Sequence, residues 1–168
     1  MEAEKLLKPR SPPPFQLSLR IRHPSLDPAE ISRELCLKAE HSFRAGDPRP
    51  SRSGLAPASV HVESYWLGAL NPAGWPADLP APEEPRLRLE RAQLGALSRS
   101  LGGALSVCAV HFFNVHAALL RRIRAEGGQV SVLVNISTAD AASFSLVPEV
   151  SRVFSELGIA LEFEFVSE

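Results

Sequence analysis

Phe15-Gln16-Leu17-Ser18-Leu19-Arg20-Ile21-Arg22 decides the architecture. Phe15, Leu17, Leu19 and Ile21 share one face of an extended segment, and Gln16, Ser18, Arg20 and Arg22 share the other, the two-residue period of a half-buried strand. A strand that is apolar on one face needs covering on one side only. The same alternation returns at the far end, where Leu161, Phe163 and Phe165 interleave with Glu162 and Glu164. Gln129 to Ile136 differs: Val130, Val132, Val134 and Ile136 line one side while Leu133 marks the other, which predicts a central strand.

Helical signals lie between these strands. Asp27-Pro28-Ala29-Glu30 supplies an N-cap, a proline at the first helical position and a first-turn carboxylate, predicting a helix from Pro28 to about Leu37 with Ile31, Leu35 and Cys36 inward. Gly46-Asp47-Pro48-Arg49-Pro50 reads as a loop. A second strand is expected within Ser59 to Leu67, where Val60, Val62, Ser64 and Trp66 alternate with His61, Glu63 and Tyr65. Asn71 to Pro85 holds five prolines in fifteen residues and must be an excursion on the surface. Leu87, Leu94, Leu97 and Leu101 resume helical spacing until Gly102-Gly103 interrupts it. Leu105 to Phe113 fits either a strand or a helix; the face formed by Cys108, Phe112, Val115, Leu119 and Ile123 favours a helix reaching Glu126 and stopping at Gly127-Gly128. A short strand at Ser143 to Leu146 precedes a helix opened by Pro148, striped by Val150, Val153, Phe154 and Leu157, and closed by Gly158.

This order predicts a two-layer α+β sandwich: one mixed or antiparallel sheet with helices on one face, a ferredoxin-like variant. Residues 1–14 are expected to be a flexible proline-rich leader and 15–168 a single domain, with 71–85 as its proline-rich surface excursion. If the last strand pairs with the first, Glu162 and Glu164 neighbour Arg20 and Arg22 on the solvent face.

Composition narrows function mainly by exclusion. The 168 residues are 45% hydrophobic and 22% charged with net charge −1, which suits one globular core and argues against a dedicated polyanion binder. Arginine outnumbers lysine 15 to 3, a bias expected of a GC-rich bacterial genome. The first ten residues hold no apolar signal run, so a cytoplasmic location is expected. The near-zero charge is itself a cancellation, with residues 1–52 at +3, 53–85 at −4, 86–126 at +5 and 127–168 at −5. Such segregation either steers a protein partner or pairs internally between packed elements.

Cys36, His41, His61, Cys108, His111 and His116 are ligand types for zinc, and Cys108-x-x-His111 has a usable spacing, but no second close pair accompanies it. No nucleophile signature is present, and Glu83-Glu84 and Glu162/Glu164 read as solubilising carboxylates. The glycine pairs lack a phosphate-loop context, so no cofactor is expected. Arg121, Arg122 and Arg124 offer a phosphate contact without interleaved aromatic residues. Tyr65 and Trp75 stand near the acidic block as aromatic anchors; Trp66 is expected in the core and Trp75 on the surface.

Pro28-Ala29-Glu30-Ile31-Ser32, Leu35-Cys36-Leu37, Ala39, Gly46-Asp47 and Ser64-Tyr65-Trp66 together resemble the bacterial "domain of unknown function 4279" family. The similarity extends weakly to Leu157-Gly158-Ile159 and the final strand. The chain departs from that pattern at Cys36, where the family has a glycine at the helix exit, and in longer stretches at 71–85 and 105–114. The resemblance implies a small cytoplasmic α+β protein without known catalytic residues or cofactor. The functional expectation is a non-enzymatic protein-binding module, in its most specific form a toxin-neutralising immunity protein, contacting its partner through Trp75, Glu83, Glu84, Tyr65 and Glu63. The alternatives are a small metal-binding protein or enzyme using Cys36, Cys108 and the histidines, and an RNA contact through Arg121, Arg122 and Arg124.

Overall fold

The computed structural model describes residues 15–50, 59–137 and 145–166. Five strands form one sheet in the order β2-β3-β1-β4-β5: β1 (Phe15–His23), β2 (His41–Phe43), β3 (Ser64–Ala69), β4 (Gln129–Ser137) and β5 (Ala160–Val166). Strand β1 is antiparallel to both neighbours, and only β4 and β5 run parallel. The sheet is therefore mixed, and its single βαβ unit is the variation on a ferredoxin-like plan. As the alternation requires, Leu17, Leu19 and Ile21 are buried beneath the helices while Ser18, Arg20 and Arg22 lie on the other face. Central β4 buries Ser131 and Leu133 as well as its valines.

The first strand pairs with β3 and β4 and not with the last strand, so the condition for direct Arg–Glu neighbours between β1 and β5 is not met. The ion contact inferred from that pairing exists nonetheless. Arg20 reaches across β4, donating from Nε to Ser131 Oγ at 3.1 Å and pairing its Nη2 with Glu162. Arg22 turns the other way, toward Glu63.

Helix α1 (Pro28–Leu35) is capped by Asp27, whose Oδ1 accepts from Ala29 N at 2.9 Å, and it buries Ile31 and Leu35. It exits through Cys36 at φ 52°, left-handed backbone that normally calls for glycine. Trp66 on β3 is fully buried beneath this helix and donates from Nε1 to Ser32 Oγ at 2.8 Å. Gly68, next on the same face, lies under the indole: a Cβ there would sit 2.5 Å from Trp66 Cη2. The second strand begins later than expected. Val60 only bridges to Pro48, and Val62 is 81% exposed, because pairing with β1 starts at Ser64.

The long helical segment is three helices. Helices α2 (Arg91–Leu97) and α3 (Leu101–Cys108) break at 98–100, where Ser100 Oγ caps α3 by accepting from Gly103 N at 3.1 Å. Gly102 and Gly103 do not interrupt a helix, as expected from sequence, but open one; a Cβ on Gly103 would overlap the Leu97 carbonyl. Ala109–Phe113 continues α3 as a π turn closed by Asn114 N to Ala109 O at 3.1 Å. Beyond it the chain bends by 82° into α4 (Ala117–Ala125), so Leu105 to Glu126 is not one continuous helix. The extra residue in the π turn moves the buried stripe from Val115 to His116.

Helix α4 stops at Gly127, and α5 (Pro148–Leu157) buries the expected Val150, Val153, Phe154 and Leu157 before ending at Gly158. Ser145 and Leu146 belong to no strand; the rest of the expected short strand, and the leader at 1–14, lie outside the described residues. Among the described residues no single helix is long and apolar enough to cross a membrane.

Candidate functional site

The helix-free face of the sheet is laid out by register. Phe43, Tyr65, Arg22 and Gln129 form one row across four strands, and Ala69, Ser18, Leu133 and Glu162 another. At the β2–β3 end three rings stack: Phe43 lies 3.6 Å from the His61 ring centroid at 21° and 5.1 Å from Tyr65 at 11°. Ring pairs of this kind contribute roughly 0.5–1.5 kcal/mol each beyond their buried area. Beside the stack, Arg22 Nε approaches Glu63 Oε1 at 3.7 Å, close enough for ionic attraction and too long for a hydrogen bond. Arg22 Nε and, farther along the face, Asn135 Oδ1 are buried without a hydrogen-bond partner in the described structure. The face carries Arg20 and Arg22 against Glu63, Glu162 and exposed Glu164, a surplus of one negative charge.

Of the residues expected to receive a partner, Tyr65 and Glu63 are thus brought together on this face. Trp75, Glu83 and Glu84 are not. Trp75 is only 5% exposed, which corrects its expected surface role; its ring packs 5.6 Å from Phe112. Proline keeps 72–85 out of the sheet, but nothing prevents the segment from coating the helices. Asn71 Oδ1 accepts from Ala73 N at 3.2 Å, starting a 3₁₀ turn at Pro72–Gly74 that turns Trp75 inward. Pro72 and Pro82 are buried with it, so the excursion is as much a lid on the core as a surface loop. Glu83 and Glu84 are exposed on that excursion, and the Glu84 carbonyl accepts from Leu87 N at 3.0 Å.

The metal candidates scatter. Cys36 ends α1 and its Sγ donates to Arg33 O at 3.7 Å; Cys108 is fully buried in α3; His41 is exposed on β2; His61 is in the ring stack. His111 and His116 are buried in and after the π turn, and His116 Nδ1 lies 2.9 Å from the Phe112 carbonyl, to which it donates. Among the described residues no group of three or more His, Cys, Asp or Glu could hold a metal ion. Burial pushes the Cys108 thiol up to about 12, so it is neutral at pH 7 and a poor nucleophile. Burial likewise pushes His111 and His116 down, the latter against an opposing effect from its bond to Phe112.

The arginine cluster is largely engaged within the molecule. Arg122 Nη2 pairs with Glu34 at 2.7 Å and Glu30 at 3.3 Å on α1, and these carboxylates hold its guanidinium above the usual arginine range. Arg124 lies against Gly158, where the carbonyl end of α5 favours a cation. The Arg122 pairs join two basic blocks of the sequence, whereas Arg20–Glu162 and Arg22–Glu63 each join a basic block to an acidic one, so part of the segregation is internal pairing.

Beneath the proline-rich excursion lies a pocket of about 190 Å³. Trp75, Leu79, Pro82 and Leu94 wall it, and Arg88 and His111 contribute its basic groups. Periodicity could not reveal either region: β2 is three residues long, and the pocket joins a loop to a helix through side chains with no common spacing. Comparison with known protein families, curated proteins and solved structures returned no match, so the family resemblance rests on the sequence motifs alone.

Proposed function

We propose that this protein is a non-enzymatic binding module that receives a basic protein partner on the open face of its sheet. The carrying observation is the His61–Phe43–Tyr65 stack set beside Glu63 on a face with more carboxylates than guanidinium groups. An arginine from a partner can stack on such rings while pairing with Glu63, a contact of roughly 0.5–2 kcal/mol. Neutralisation of a basic toxin is the specific biological form of this reading. Membership of the "domain of unknown function 4279" family belongs to the same proposal. It is supported by the Asp27 to Asp47 motifs and by Cys36 holding left-handed backbone where the resembled pattern has glycine.

The test is isolation of a stoichiometric complex from the native source with the full chain, followed by calorimetry on variants. Tyr65→Ser and Glu63→Lys should each weaken binding at least about tenfold, whereas Glu83→Lys with Glu84→Lys should change it little. A one-to-one partner whose affinity ignores the first two substitutions and follows the second pair would transfer the site to the excursion and end this reading.

A further inference from the structure

The pocket under the excursion lies in the helical layer, across the sheet from the ring stack, and the binding role proposed above does not use it. Its walls are rigid and apolar: proline rings, Leu79, Leu94 and the Trp75 indole. Its one charge is the Arg88 guanidinium, and the buried His111 imidazole adds a polar group whose neutral form burial favours. Arg88 and His111 line it, no acidic residue does, and among the described residues no carboxylate lies within ion-pair distance of Arg88. Arg88 is fixed by one of its own donors, Nε to Pro82 O at 3.1 Å, which leaves both terminal nitrogens for a ligand. That geometry suits a carboxylate, which a guanidinium fork can hold with two parallel bonds.

Two further observations mark the place. His111 is carried by the π turn, a helix defect that recurs at binding sites. Trp75 Nε1 is buried without a hydrogen-bond partner in the described structure, an arrangement that native cores rarely leave unused. Size bounds the ligand. A dry cavity of about 150 Å³ admits benzene, so about 190 Å³ has room for one ring or branched chain with a carboxylate.

We infer that the pocket formed by Trp75, Leu94, Arg88 and His111 is a binding site for a small monocarboxylate with a flat or branched apolar body. The carboxylate lies on the Arg88 fork and the body between Trp75 and the proline walls. Prolines hold these walls before the ligand arrives, which reduces the ordering cost of binding.

Benzoate, benzyl alcohol and benzylamine serve as probes of one size and three charges. Titrations of the full chain are followed by calorimetry and by the indole N–H resonance of Trp75. Benzoate should bind saturably and shift that resonance, benzyl alcohol should bind at least tenfold more weakly, and benzylamine should not bind. Arg88→Gln should weaken benzoate at least tenfold with little effect on benzyl alcohol, and Leu94→Trp should fill the space and abolish both. Equal affinity for benzoate and benzylamine, benzoate binding indifferent to Arg88→Gln, or no saturable binding of benzoate would each overturn the assignment.

Discussion

Gly68→Ala tests the contact between α1 and the sheet, because its cost depends on one neighbouring ring. The added methyl would lie 2.5 Å from Trp66 Cη2, 2.9 Å from Cζ2 and 3.0 Å from the Lys38 carbonyl. Ordinary carbon contacts are about 3.5–4.0 Å, so the indole must move, and Ser32 holds its Nε1 at 2.8 Å. Overpacking of this kind costs about 1–3 kcal/mol. The smaller unfolded-state entropy of alanine returns about 0.5 kcal/mol, leaving a net loss of about 0.5–2.5 kcal/mol, centred at about 1.5. Trp66→Phe alone loses the Ser32 bond, worth about 1 kcal/mol, and opens a void where the six-membered ring of the indole stood. In that background the Gly68 methyl fills part of the void and only the Lys38 carbonyl opposes it. Gly68→Ala should then be nearly neutral, giving a favourable coupling of about 1.5 kcal/mol. Urea unfolding of the four proteins, compared at constant slope, measures this. If the two substitutions add to within about 0.5 kcal/mol, Trp66 does not lie over Gly68 and the packing account is wrong.

Two further perturbations follow from local geometry and burial. Cys36→Gly removes a side chain from left-handed backbone at φ 52°; with an αL penalty of about 1–2 kcal/mol partly offset by glycine's greater unfolded freedom, it should raise stability by about 0.5–1 kcal/mol, and a lowered melting temperature would contradict this. His111 and His116 have pKa values depressed by burial. Their contribution is therefore fully present above the unfolded histidine value of about 6.5 and is lost as pH falls below it, because the unfolded chain binds the protons. Stability measured by urea midpoint should fall between pH 7 and 5.5, and His111→Gln with His116→Gln should flatten that slope; an unchanged slope would show that neither histidine carries it.

What could be read from the chain was what depends on short-range periodicity and end signals. Strands β1 and β4 follow from alternation and continuous apolar character, α1 from Asp27-Pro28, and α5 from Pro148 and Gly158. The break before α4 escaped because Cys108, Phe112, Leu119 and Ile123 keep helical spacing on both sides of it. The π turn adds one residue of phase, which buries His116 in place of Val115. Gly103 looks like a helix breaker in the sequence because its reason for being glycine, the neighbouring Leu97 carbonyl, belongs to the turn before it. The burial of Trp75 is not legible in the sequence, because a proline-rich composition excludes a sheet position but says nothing about what the loop covers. Tyr65 and Glu63 share one face by simple alternation, while Phe43, eighteen residues before His61, joins them only through a three-residue strand.

The central position of β1 sets the schedule on which this chain can fold during synthesis. Arg20 waits 111 residues for Ser131, its partner on β4. At about 5–20 residues per second, the first strand spends roughly 6–22 seconds outside the ribosome before that neighbour emerges. During this interval β1, α1, β2 and β3 can assemble only as a half-sheet, and α2, α3 and α4 emerge before the β4 strand they cover, so the nascent protein exposes the apolar edge of β1 and the inner faces of these helices until the valine-rich β4 arrives.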